Sequence, residues 1–141
     1  MKRIVCSIFI VILFAGCNVI SDEPVFSLSS EDLFQKAEDG WREAGYALMQ
    51  KAEPSPIALA TPERYYDAPN GDTLAIYVFP TGLEASEAKI QLQSHALKWD
   101  VVPVYGLKGN VLFIYFTSVT NAKLILSEQV EKVVSSINFS K

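Results

Sequence analysis

The chain has 141 residues, half of them hydrophobic, with 12 basic and 16 acidic side chains and a formal net charge of −4. That length suits one domain able to fold without staples, and the acidic balance argues against nucleic acid as a partner, since affinity for polyanions rests on basic residues. The single histidine, His95, rules out zinc motifs built on paired histidines; with cysteine only at Cys6 and Cys17, everything downstream lacks a disulfide, a thiol redox motif or a cysteine metal site.

Met1, Lys2 and Arg3 precede an apolar run from Ile4 to Ala15, then Gly16 and Cys17, the order of an export signal. The run is too short to cross a hydrocarbon core, which needs about 20 residues in a helix, so cleavage is expected rather than a permanent span. Leu13-Phe14-Ala15-Gly16-Cys17 resembles the lipobox of bacterial lipoproteins, departing from it at Phe14, where leucine is commonest. The resemblance covers the first 17 residues. It implies that the signal, 1–16, is cut between Gly16 and Cys17, that the Cys17 thiol carries a diacylglyceryl group, and that the new amino terminus is acylated, with palmitate as the typical chain. It further implies a protein held on the cell membrane or outer membrane, facing outside the cytoplasm. Asn18 lacks the aspartate that commonly retains Gram-negative lipoproteins in the inner membrane. Several acyl chains are physically reasonable, because one chain alone binds a bilayer only marginally. Without Lys2 and Arg3 the 12 basic residues fall to 10 against 16 acidic ones, a mature charge of −6.

Residues 17–28, with Ser21, Asp22, Glu23 and Pro24, read as the lipidated cysteine and a short tether, and 29–141 as a single globular domain. From Ser29 to about Gln50, Leu33, Ala37, Trp41, Ala44 and Leu48 form one helical stripe, entered through Ser30 with Glu31 and Asp32 in the first turn. Gly40 and Gly45 weaken that helix and point to close approach of another element. Pro54, Pro56 and Pro62 end it.

Two units of similar plan follow. Arg64–Asp67, a turn at Asn70-Gly71 and Thr73–Phe79 read as a hairpin. Thr81-Gly82-Leu83-Glu84 matches a capping box that opens a middle helix. Ala85, Ala88, Leu92, Ala96 and Trp99 form one stripe and Leu83, Ile90 and Leu97 a second line; one of the two meets the sheet, and the other is expected against a neighbouring helix rather than as a partner-binding ridge. Val101–Tyr105, a turn carrying Gly106 and Gly109, and Val111–Thr117 form the second hairpin. A last helix, Asn121–Ile137, presents Leu126, Val130, Val133, Val134 and Ile137 on one face. At an offset of 38 residues Gly71 meets Gly109, Leu74 meets Leu112 and Ile76-Tyr77 meets Ile114-Tyr115; convergence of two apolar hairpins is the favoured explanation over an old duplication. The predicted fold is α+β, an N-terminal helix followed by two strand-strand-helix units, with helices on a four-stranded antiparallel sheet.

No nucleophile elbow, P-loop or dinucleotide fingerprint occurs. The carboxylate pairs Glu84/Glu87 and Glu128/Glu131 sit at helical spacing beside lysines and read as solvated faces rather than a hydrolase site. No catalytic residue, metal site or cofactor is expected. Tyr77, Phe79, Phe113 and Tyr115 are the candidate binding residues, as an aromatic sheet face that is either open to a ligand or, as favoured, covered by the first helix through Trp41. The sequence therefore points to a non-enzymatic interaction or ligand-binding domain at the cell envelope, with the membrane as one partner through Cys17 and an envelope protein or cell-wall ligand as another. The alternative is a small carboxylate-based surface hydrolase.

Overall fold

A computed structural model describes residues 26–95, 101–117 and 123–140. The expected signal, Gly16, Cys17, the tether up to residue 25, and Ala96, Leu97 and Trp99 lie outside the described residues. In chain order the elements are α1 (Ser30–Glu43), β1 (Met49–Gln50), β2 (Glu63–Asp67), β3 (Thr73–Val78), α2 (Gly82–His95), β4 (Val102–Lys108), β5 (Val111–Thr117) and α3 (Lys123–Ser136). All strands join one antiparallel sheet in the order β1-β2-β3-β5-β4, so the two hairpins meet along β3 and β5. The α+β class holds, with five strands instead of four.

The fifth strand comes from a segment that reads as helix in the sequence. α1 begins at an N-cap one residue earlier than expected, where the Ser29 hydroxyl accepts from the Asp32 amide at 3.2 Å. It stops at Glu43 because Gly45 takes φ +95°, and the amides of Gly45 and Tyr46 reach back to the carbonyls of Arg42 and Trp41 at 2.9 and 3.0 Å. This is a Schellman closure, completed by the Tyr46 ring edge-on to Trp41 at 4.8 Å. The chain then runs on, and Met49 and Gln50 pair with Asp67 and Tyr66. Leu48 reaches the core from this connection and not from the helix.

Register divides the core. Ile76 pairs with Phe113 and Tyr77 with Leu112, so even positions of β3 share a face with odd positions of β5. Leu74, Ile76, Val78, Val111, Phe113 and Tyr115 pack under α1 and α3. Ala75, Tyr77, Leu112, Ile114 and Phe116 pack under α2, through Ala88 and Leu92, and under the loop that carries Ile57. That loop is pinned by the Tyr77 hydroxyl, which donates to the Ile57 carbonyl at 2.8 Å, and by the Ser55 amide, which donates to Glu63 Oε1 at 2.9 Å. The sheet is thus the middle of three layers.

Several local expectations hold. Asn70 and Gly71 take φ 65° and 78°, as the hairpin turn requires, and the Thr81 hydroxyl accepts from the Glu84 amide at 3.2 Å. A Cβ on Gly40 would come within 2.6 Å of Ile137, the anticipated close approach. Gly106, in contrast, lies inside β4 and not in a turn, because its missing side chain lets Val134 and Val130 of α3 settle on the strand. Ile90 is 63% exposed, so the second line on α2 is not packed against a helix at that position. The folded region also starts before Ser29: Leu28 packs against the core, and the Phe26 ring lies 4.8 Å from that of Phe139.

The two units related by the 38-residue offset are not equivalent in space. Leu74 faces α1 and α3 whereas its counterpart Leu112 faces α2, and α2 and α3 cover opposite sides of the sheet. A rotation that exchanges neighbouring antiparallel strands within a sheet preserves its faces, so no rotation superposes the two units. Convergent hairpin patterns account for the repeat.

Candidate functional site

The four aromatic residues singled out in the sequence do not form one surface. Tyr77 and Phe79 belong to the α2 side, Phe113 and Tyr115 to the side of α1 and α3. Alternation in each strand is legible from the sequence; the parity of the register between β3 and β5, which splits the set, is not. Tyr77, Phe113 and Tyr115 are buried and Phe79 partly so. Trp41 does cover its side of the sheet, as favoured: it is fully buried and stacks on Tyr115 at 5.8 Å with the rings 7° from parallel.

Behind that stack lies a polar corner. The Tyr115 hydroxyl donates to Asp72 Oδ2 at 3.0 Å, and burial together with this carboxylate pushes the phenol well above its ordinary value. Tyr46 is raised as well, first by burial and then by Asp72. Tyr46, half-buried and set edge-on to both Trp41 and Tyr115, is the member of the cluster that reaches the surface.

Tyr46 lines the largest of the described cavities, a cleft of ≈ 650 Å³ between the C-terminal end of α1, the β2–β3 turn and α3. Tyr46, Pro69 and Val133 supply its apolar surface; Gln129, Lys132 and Ser136 supply polar groups from α3. The Ser136 hydroxyl donates to the Val133 carbonyl at 2.7 Å, and among the described residues the Tyr46 hydroxyl, Lys132 and Gln129 are not engaged by side-chain hydrogen bonds or ion pairs. An apolar ring beside a cation and an amide suits a small organic molecule. The Gly45 closure places Tyr46, and the packing of α1 against α3 brings Lys132 into the same cavity. Sequence periodicity marks Lys132 only as a solvated helix position, so neither residue stands out before the fold is known.

The remaining candidates fall elsewhere. His95 is exposed near the end of α2, with Nδ1 2.7 Å from the Gln91 carbonyl. Glu84, Glu87, Glu128 and Glu131 are exposed on α2 and α3, helices on opposite faces of the sheet. Glu38 is buried but engaged, accepting from the Tyr66 hydroxyl at 3.2 Å and pairing with Arg42 at 2.5 Å. Among the described residues no group of three histidine, cysteine or acidic side chains could hold a metal ion, and no helix is long and apolar enough to cross a membrane. No protein-family model, curated protein or solved structure matches the chain.

Proposed function

We propose that the protein is a lipid-anchored binding domain of the bacterial cell envelope, non-enzymatic, which holds a small ligand in the cleft beside Tyr46 and Lys132. The anchor is the diacylglyceryl group on Cys17, read from the lipobox. The observation that carries the binding half is the cleft past the C-cap of α1, where the half-buried Tyr46 ring shares one cavity with Gln129 and Lys132 of α3.

Two measurements test the reading. Cys17→Ala should leave an uncleaved precursor that takes up no labelled fatty acid, and processing equal to the parent would remove the anchor from the proposal. A photo-crosslinking residue at Gln129, in living cells, should capture a small molecule that the same probe at exposed Ala52 does not. Identical capture at both positions would remove the cleft.

A further inference from the structure

β4 is the outermost strand and hydrogen-bonds to β5 on one side only. Pro103 reveals which of its groups point outward. Proline has no N–H and is tolerated in a ladder where that position faces away from the neighbouring strand, and positions two apart share a side. The carbonyls of Pro103, Tyr105 and Leu107, with the amides of Tyr105 and Leu107, therefore point off the sheet.

Helices flank this edge on both faces. α3 rides over β4 itself: Val134 and Val130 close on Gly106, and Lys108 Nζ donates to the Ser135 carbonyl at 2.6 Å. Ser127, Glu131 and Ser135 recur every fourth residue and overhang the edge, while Lys89 of α2 approaches from the opposite face. Between them runs a slot of ≈ 220 Å³ based on Tyr105, Gly106 and Leu107. Among the described residues Lys89 and Glu131 have no ion pair, and the buried Tyr105 hydroxyl has no hydrogen-bond partner.

We propose that this slot receives an extended peptide segment of a partner protein, added to β4 as a further strand beneath α3, and that it selects adjacent basic and acidic residues. Successive side chains of a strand point to opposite faces, so one peptide side chain meets Glu131 on the α3 face and its neighbour meets Lys89 on the α2 face. Main-chain bonds to Tyr105 and Leu107 supply affinity, and the two charges supply the preference. A second copy of β4 does not fit. Two such edges paired about a two-fold axis would set the α3 helices about 5 Å apart, where packed helices need roughly 8–10 Å. This inference is independent of the lipid anchor and of the cleft, which opens on the other side of α3.

Selection of a displayed random heptapeptide library on the full-length protein in detergent micelles tests it. Adjacent basic–acidic pairs should be enriched. Glu131→Lys should shift the preference to two acidic residues, and Lys89→Glu to two basic ones. Glu131→Ala, the milder change, should erase the basic preference and weaken a selected peptide about fivefold, the upper end for an exposed ion pair. A selected synthetic peptide should slow hydrogen exchange at the Tyr105 and Leu107 amides. The proposal fails if the parent enriches nothing, if the same peptides win on parent and variants, or if the protection falls elsewhere.

Discussion

Replacing Trp41 by alanine should empty the centre of the core beneath α1 and cost the domain a large part of its stability. The side chain is fully buried and touches the rings of Tyr46, Phe113 and Tyr115 at centroid distances of 4.8, 6.3 and 5.8 Å. A buried aromatic of this size removes about 150–250 Å² from water, worth ~4–6 kcal/mol at about 25 cal/mol per Å². The indole Nε1 works in the other direction, because it is buried without a hydrogen-bond partner. Deleting it returns roughly 1–3 kcal/mol, so a net loss of about 3 kcal/mol is expected. Trp41→Phe keeps a ring against Tyr115 and also drops the orphaned donor, and should cost less than about 1.5 kcal/mol. Urea melts followed by far-ultraviolet circular dichroism, on a soluble chain beginning at Phe26, measure both. With a slope of about 1–2 kcal/mol per molar, the alanine midpoint should fall by roughly 2 M. An alanine midpoint equal to the parent would refute the burial argument, and a phenylalanine variant as weak as the alanine one would show that the indole N–H was satisfied.

Gly106→Ala places a Cβ 2.6 Å from Val134 Cγ2 and should destabilise by about 1–3 kcal/mol; adding Val134→Ala should recover part of that loss, a positive coupling readable in a double-mutant cycle. Tyr77→Phe removes the bond to the Ile57 carbonyl, for about 1–2 kcal/mol, and should speed amide exchange in residues 51–62 more than in β3; uniform exchange would count against the clamp. Alkali should unfold the domain. Burial pushes Tyr66 and Tyr105 up to about 12, and raises Tyr46, Tyr77 and Tyr115 too. A phenol whose folded value lies above its unfolded one, near 10, stabilises fully below pH ~10 and loses that contribution as pH climbs toward the folded value. Phenolate absorbance and loss of circular dichroism should therefore rise together between about pH 10 and 12. Ionisation of all the tyrosines at pH ~10 with the fold intact would contradict their burial.

A good part of the fold is legible from near neighbours in the chain. The proposed export signal and lipobox are likewise local patterns, read without any fold. Helix faces, strand alternation, the Asn70-Gly71 turn and the Thr81 cap are also local, because each depends on propensities and hydrogen bonds within a few residues. Even Gly40 announced a close neighbour, since a glycine inside a helix needs a reason. What failed was whatever depended on a partner distant in the chain. Gly45 could be a tolerated helix residue or a terminator, and the choice fell to termination when the Tyr46 ring met Trp41 and Met49–Gln50 found β2. The parity of the β3–β5 register has no local signature, yet it sent Tyr77 and Tyr115 to opposite faces and dissolved the aromatic surface. The same holds for the cleft and the edge slot. Lys132, Lys89 and Glu131 look alike in sequence as solvated helix charges, and only the packing of α3 over β4 and beside α1 decided which cavity each of them lines. Periodicity fixes which side of an element is apolar; which neighbour that side meets is a long-range contact, chosen by the whole chain at once.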